Sequence, residues 1–200
     1  MELKTITKKI FLLIFENQYE ITSTFLRFQE HYESPEFRGK IFTLEEYKEW
    51  YSTIKGSFTY YTDWHGFNIP SHILKPFYEG KFDPLSEKEK KLLGLFKDKK
   101  GKFYIIGIHK GVPVSSLLNH EIAHGLFYTD EKYKDSVLEI LSKYDIGDIK
   151  EKLRKSGGYH EDVLDDEVHA YSLDNPFSEL HKEIKENFEK ALSRNKISVK

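Results

Sequence analysis

The stretch that decides the fold is FYIIGIHKGVPVSSLLNHEIAHGLFY, residues 103–128. Residues 103–108 are rich in β-branched and aromatic side chains and predict a strand. After a Gly-Val-Pro turn, residues 114–128 predict a helix. His120 and His124 stand four residues apart on that helix and therefore share one of its faces. The segment thus predicts a strand followed by a helix that presents two imidazoles side by side.

The motif His120-Glu121-Ile122-Ala123-His124 carries the chemistry. Two neutral imidazoles on one face suit a zinc ion, which they bind at roughly 2.0–2.1 Å. Glu121 lies at the edge of that face, where it is poorly directed as a ligand but can reach a water on the metal. Ile122 and Ala123 continue an apolar stripe, which indicates that the helix packs into a core. The alternative interpretation is a partly exposed helix with incidental polar residues.

Composition limits the class of protein. The chain has 200 residues, no cysteine and a formal net charge of -2. Because cysteine is absent, disulfides and thiolate zinc sites are excluded, and any metal ligands are His, Asp or Glu. The nearly balanced charge predicts neither nucleic acid nor an anionic membrane as a partner. The longest apolar run, residues 10–15, is too short to span a membrane, and no cleavage signal follows it, so we expect a cytoplasmic protein.

A catalytic zinc needs a third protein ligand and an open fourth position. Glu167 and His169 are both candidates, but they stand two residues apart and point to opposite sides of one straight helix. They therefore cannot both bind the same ion. Asp166 and His160 are further alternatives. Asp130 is better explained as the cap of the helix that follows it.

The strand–helix order and the His-Glu-x-x-His motif resemble the zincin superfamily of metallopeptidases, over roughly residues 100–175. The resemblance implies an α+β, zincin-like fold with a small sheet, an active-site helix and several packed helices. Gluzincins supply a glutamate from a downstream helix, with a small residue three positions later that lets two helices approach. Glu167 followed by Ala170 matches that pattern, so Glu167 is the expected third ligand. Tyr171 replaces the aspartate that orients the first histidine in many gluzincins, so we expect that support from Asp166 or a backbone carbonyl.

The resemblance also implies a function, that of a zinc-dependent metallohydrolase and specifically a peptidase with Glu121 as the general base. Zincins often stabilise the oxyanion with a Tyr or His, and Tyr171 and His160 are the candidates here. If residues 103–108 form the rim of the cleft, they would pair with an extended peptide substrate. A non-catalytic zinc-binding module and a metal-free interaction protein are the alternatives. The sequence specifies neither the substrate nor the oligomeric state.

Residues 1–100 resemble no named family and are interpreted as an N-terminal lobe of helices and strands. The lysine-rich segment at residues 97–102 separates this lobe from a zincin-like metal-binding lobe, residues 101–200. We expect the two lobes to form one compact unit.

Local patterns predict the other elements. Capping boxes that begin at Thr43 and Ser86 each predict a helix. Residues 9–15 fit either a strand or a helix, and residues 57–61 predict a strand. The aromatic segment at residues 63–70 is interpreted as a structural turn, with a functional loop as the alternative. Apolar residues spaced by three and four predict the remaining helices, at residues 21–32, 131–143, 148–155, 160–173 and 177–192.

Overall fold

A four-stranded mixed sheet and ten α-helices make up the part of the chain that the computed structural model describes, residues 1–111, 114–157, 159–175 and 178–197. The strands are β1 (Glu2–Thr5), β2 (Ile10–Phe15), β3 (Gly66–Pro70) and β4 (Tyr104–His109). The helices are α1 (Gln18–Glu33), α2 (Leu44–Lys55), α3 (Tyr60–Asp63), α4 (Lys75–Tyr78), α5 (Glu87–Phe96), α6 (Val114–Thr129), α7 (Glu131–Leu141), α8 (Gly147–Gly157), α9 (Leu164–Ser172) and α10 (Glu179–Arg194). The fold therefore belongs to the α+β class, as expected from the sequence.

The strand order in the sheet is β1-β2-β4-β3. Strand β4 runs parallel to β2 and antiparallel to β3, while β1 is antiparallel to β2. Strands from both halves of the chain thus form one sheet. Because β4 has a partner on each side, the expectation that it forms the rim and pairs with a substrate is wrong. The edge strand on that side is β3.

The two faces of the sheet bury two apolar cores, because side chains alternate along a strand. On β2, Phe11 and Leu13 belong to the same core as Phe25 of α1. Their neighbours Ile10 and Leu12 belong to the core that contains Ile122 of α6. Helices α1 and α6 therefore cover opposite faces of the sheet.

The helix starts predicted from capping residues are confirmed. The side chains of Thr43 and Ser86 each accept a hydrogen bond from a backbone amide in the first turn, and both capping boxes are complete. Asp130 caps α7 in the same way by accepting from the amide of Tyr133. These contacts lie within one turn of helix, which is why local sequence predicts them.

Two interpretations of the N-terminal half are wrong. Residues 57–61 do not form a strand; they lead into α3, where the ring of Tyr60 is buried against Tyr47. The segment interpreted as a structural turn contains strand β3, which pairs with β4 from Gly66 to Pro70. Proline is tolerated there because β3 is an edge strand.

The region around α9 begins differently from the prediction. Residues 160–163 are not α-helical, and α9 starts at Leu164 after a short 3-10 helix, Glu161–Val163. His160 caps that short helix, because its Nδ1 atom accepts a hydrogen bond from the amide of Asp162. The predicted start of the last helix, Phe177, lies outside the described residues, and α10 begins at Glu179.

Candidate metal centre

Helix α6 presents His120 and His124, and α9 brings Glu167 against them. The Nε2 atoms of the two histidines are 3.2 Å apart, and Nε2 of His124 lies 3.7 Å from Oε1 of Glu167. The three ligand atoms lie within 4.8 Å of one another. Ligands at tetrahedral corners around a zinc ion are about 3.3 Å apart, given bonds of about 2.0–2.1 Å. A small rotation of the carboxylate therefore brings all three atoms onto one ion, and the donor set fits zinc.

Each imidazole is oriented through its other nitrogen. The Nδ1 atom of His124 lies 2.9 Å from Oδ1 of Asp166. His120 hydrogen-bonds the backbone carbonyl of Ala170, and its Nδ1 atom lies 3.8 Å from a carboxylate oxygen of Asp174. Such contacts fix the ring and leave Nε2 free for a metal. Asp166 therefore supports the second histidine of the motif, and a backbone carbonyl supports the first.

Burial and the close charges shift the pKa values of the cluster. Burial, assisted by repulsion from His124, lowers the pKa of His120 to about 3 and keeps that ring neutral. Burial also acts to lower the pKa of His124, but the carboxylates of Asp166 and Glu167 outweigh it and raise the value to about 10. Burial raises the pKa of Glu167 to about 8. The protonated His124 ring supplies the positive charge that balances the carboxylates of Asp166 and Glu167. A bound metal ion would supply that charge in place of the proton.

Glu121 is buried beside the two histidines and is held by the N-terminal half of the chain. Its Oε2 atom accepts a 2.7 Å hydrogen bond from the side-chain amide of Asn68 on β3. A Cβ atom on Gly66 would lie 2.8 Å from Oε1 of Glu121, so glycine at this position leaves room for the carboxylate. Burial raises the pKa of Glu121, and the hydrogen bond from Asn68 acts in the opposite direction. No periodic pattern in the sequence marks Asn68 as a functional residue.

Two tyrosines lie next to the ligands. The ring of Tyr171 is 4.8 Å from that of His120, centroid to centroid, and its hydroxyl is 3.2 Å from the hydroxyl of Tyr159. Tyr159 also hydrogen-bonds the carboxyl of Glu167. Tyr171 was a candidate from the sequence, whereas Tyr159 was not, because the sequence does not show which of the 13 tyrosines reaches the ligand helix.

The structure places the other candidate ligands away from the cluster. His169 belongs to α9 and is fully buried outside the cluster. Its Nδ1 atom lies 2.5 Å from the backbone oxygen of Asp166, and its ring stacks on Phe127. Asp130 caps α7 and pairs with Arg194 at 2.6 Å. His160 does not line the cavity that contains the cluster.

A cavity of about 540 Å³ opens onto the cluster, with walls from α1, α2, β3, α6 and α9. Both halves of the chain therefore shape it. Its carboxylates include Glu30, Glu33, Asp63, Glu121, Glu167 and Asp174. Its aromatic walls include Tyr47, Trp50, Tyr51, Tyr60, Trp64, Tyr159 and Tyr171. A cavity of this size, with a few convergent polar groups, is typical of a site for a small molecule or a short peptide segment.

Comparison of the chain with protein-family models, with curated protein sequences and with solved structures finds no match. Within the described residues, no helix has both the length and the apolar character that crossing a membrane requires.

Proposed function

We propose that the protein is a zinc-dependent metallohydrolase of the zincin type, a peptidase that cleaves peptide bonds. The observation that carries the proposal is the placement of Glu121. Its buried carboxyl stands beside the three-residue cluster of His120, His124 and Glu167 and lines the same cavity. Three ligands around one ion leave a position open, which catalytic zinc sites need and purely structural sites do not.

The residues divide the chemistry among them. His120, His124 and Glu167 hold the zinc, which when bound makes water more acidic and polarises a carbonyl group. Glu121 accepts a proton from the attacking water and donates it to the leaving amine. Tyr171 donates its hydroxyl hydrogen bond to the oxyanion that forms on the substrate carbonyl.

The cavity supports a peptide as the substrate. Its walls combine aromatic surface with carboxylates and extend from the cluster to α2, where Trp50 and Tyr51 face it. A volume of about 540 Å³ accommodates several side chains of a peptide, and aromatic walls bury apolar parts of such a ligand.

Zinc content and hydrolysis test the proposal together. The purified wild-type protein and two variants, Glu167→Ala and His160→Ala, are loaded with zinc and freed of excess metal. We expect one zinc per chain in the wild type and in His160→Ala, and little or none in Glu167→Ala. His160→Ala is the matched control because His160 lies outside the cavity.

Hydrolysis is then measured on a mixture of peptides with the wild type and with Glu121→Gln. We expect the wild type to cleave peptides and Glu121→Gln to keep its zinc and cleave about 100- to 10,000-fold more slowly. A wild type that binds no zinc, or that binds zinc and leaves every peptide intact, refutes the proposed peptidase. Cleavage by Glu121→Gln at the wild-type rate removes Glu121 from the mechanism.

A further inference from the structure

We propose that Asn68 is a positioning residue for the general base, holding one oxygen of the Glu121 carboxylate so that the other faces the reacting water. The inference rests on the proposed function and deepens it, since it assigns to the N-terminal half of the chain a part in the reaction. It begins from a single contact, the 2.7 Å hydrogen bond from Nδ2 of Asn68 to Oε2 of Glu121.

The contact is buried on both sides. Asn68 is 6% exposed and Glu121 is 4% exposed, so bulk water does not compete for the bond. A hydrogen bond to a charged acceptor in such surroundings is stronger than one at the surface. The amide therefore fixes the rotation of the carboxylate about its last side-chain bond. Without such a contact, this torsion angle has a broad distribution.

Only one of the two carboxylate oxygens is held in this way. Oε1 of Glu121 faces Gly66, where the missing side chain leaves a space that a Cβ atom at 2.8 Å would fill. Gly66 and Asn68 both line the cavity. Strand β3 thus supplies both the donor that anchors one oxygen and the gap beside the other.

Asn68 is itself fixed by contacts with two other elements, α1 and β4. Its backbone amide donates to Oε1 of Gln29 on α1 at 3.2 Å, and its Oδ1 atom accepts from the hydroxyl of Tyr104 on β4. In the antiparallel pairing with β4, Asn68 stands opposite Ile106. Since the tyrosine hydroxyl donates to Oδ1, the amide NH₂ group is turned towards Glu121. The orientation of Asn68 is therefore determined by its surroundings.

This anchoring decides what Glu121 does in the site. A glutamate next to a metal-ligating histidine has three rotatable bonds, and a free carboxylate would sample positions that are useless for proton transfer. A general base works only within hydrogen-bonding reach of the proton that it removes. A misplacement of about 1 Å at such a site costs on the order of 100-fold in rate.

The test compares Asn68→Ala and Tyr104→Phe with the wild type, all zinc-loaded. Asn68→Ala removes the donor, and Tyr104→Phe removes only the hydroxyl that orients it. Zinc content, the melting temperature, kcat and KM are measured on a peptide that the wild type cleaves. Ile69→Val is the control, because it alters the packing of β3 and leaves the amide in place.

We expect Asn68→Ala to lower kcat by about 100-fold, with KM and zinc content unchanged. Tyr104→Phe, with its less strictly oriented amide, is expected to lower kcat less, and Ile69→Val to stay within about twofold of the wild type. In a Glu121→Gln background, Asn68→Ala is expected to have no further effect, because residues that act through one group are not additive.

Three results overturn the inference. The first is a kcat within twofold of the wild type in both Asn68→Ala and Tyr104→Phe. The second is a loss of kcat in Asn68→Ala that is equally large in the Glu121→Gln background. The third is a wild type that binds no zinc or cleaves no peptide, which refutes the proposed function as well. If Asn68→Ala does not fold, Tyr104→Phe carries the same comparison.

Discussion

The Nδ1 atom of His124 lies 2.9 Å from Oδ1 of Asp166, and both side chains are buried where α9 packs on α6. This pair leaves Nε2 of His124 to face Glu167, where a metal ion would bind. A carboxylate behind a ligating histidine fixes the ring and makes it a stronger donor. Helix α6 therefore contributes two candidate ligands and α9 one, and α9 also orients both imidazoles of α6.

Replacing Asp166 with asparagine removes the negative charge and keeps the shape. We expect Asp166→Asn to weaken zinc binding by about 10–100-fold, as is usual for the carboxylate behind a metal-bound histidine. Competition with a chromophoric chelator measures the affinity. Asp165→Asn is the control, because Asp165 is half-exposed and pairs with Lys150 outside the cluster. Equal zinc affinity in Asp166→Asn and the wild type would contradict the assigned role.

The stability of the zinc-free protein is expected to fall as pH rises from about 6.5 to about 10. The pKa of His124 is raised from 6.5 to about 10, and that of Glu167 from 4.5 to about 8. The folded state then keeps protons that the unfolded chain releases, so both contributions to stability are lost as pH rises. The lowered pKa of His120 acts below pH 6.5, outside this window.

Urea unfolding in the presence of a chelator, at several pH values across this window, measures the trend. Bound zinc would replace the proton on His124, so the zinc-loaded protein should show a smaller loss or none. His124→Gln should also flatten the dependence in chelator, because the raised pKa of His124 is the one that spans the whole window. Stability of the zinc-free wild type that increases over this window is the result that excludes the explanation.

The space at Gly66 predicts a variant that separates rate from stability. In Gly66→Ala the new Cβ atom would lie 2.8 Å from Oε1 of Glu121 and 3.0 Å from Cδ1 of Leu117. The end of a flexible side chain moves more easily than backbone, so Glu121 is displaced. We expect kcat to fall by about 10-fold or more, because a misplaced catalytic group transfers protons less efficiently. The zinc content should stay the same.

Gly94 provides the matched glycine substitution. It lies in α5, and a Cβ atom built there meets nothing within 4 Å. Gly94→Ala should raise the free energy of unfolding by about 1 kcal/mol through helix propensity, and leave hydrolysis unchanged. If Gly66→Ala hydrolyses peptides as fast as Gly94→Ala, the carboxylate does not need the space.

The carboxylates of α1 predict a preference for positively charged peptides. Glu30 and Glu33 line the cavity, and burial raises the pKa of both, to about 7 for Glu30 and well above the usual value for Glu33. A cationic side chain of the substrate would stabilise their charged forms. One charge-assisted hydrogen bond of this kind strengthens binding by about 10-fold or more. We expect kcat/KM to be higher for peptides with lysine or arginine than with norleucine near the scissile bond.

Glu33→Gln should reduce this preference, whereas Glu49→Gln, an exposed position on α2 outside the cavity, should not. Equal rates for lysine and norleucine peptides with the wild type would show that the carboxylates of α1 do not bind the substrate.

The hydrogen-bonded pair of Tyr159 and Tyr171 predicts a loss of kcat in one variant and a loss of zinc affinity in the other. Tyr171→Phe removes the proposed oxyanion donor, so kcat should fall by about 100-fold at full zinc occupancy. Tyr159→Phe removes the hydroxyl that contacts both Tyr171 and Glu167, so zinc affinity should fall as well. Zinc titration and single-turnover hydrolysis distinguish the two variants. Identical zinc affinity in both variants and the wild type would leave Tyr159 without a role at the metal.

Features that depend on neighbours within one helix could be predicted from the sequence. The capping boxes at Thr43 and Ser86 occur where the pattern indicates them, and the spacing of His120 and His124 places both imidazoles together. The structure also places Glu167, and not His169, with that pair. Zinc binding and peptide cleavage themselves stay predictions.

Features that depend on distant partners could not be predicted. Strand β3 has only five residues, which include a glycine and a proline, and its partner β4 begins more than 30 residues later. For the same reason, the contact of Asn68 with Glu121 could not be predicted, because it forms only when β3 pairs with β4. Residues 57–61 have β-forming side chains, but in this context Tyr60 packs among other aromatic rings in a short helix. Tertiary packing there overrides local propensity.

The position of β4 between β2 and β3 has a consequence for synthesis on the ribosome. Strands β2 and β3, which flank β4, are translated first, and the strand that joins them emerges only with residues 104–109. Until then the nascent chain carries two strands with unpaired edges, a state in which chains bind chaperones or aggregate. The candidate metal ligands emerge later still, at residues 120, 124 and 167. The candidate metal centre can therefore form only after the sheet has its central strand.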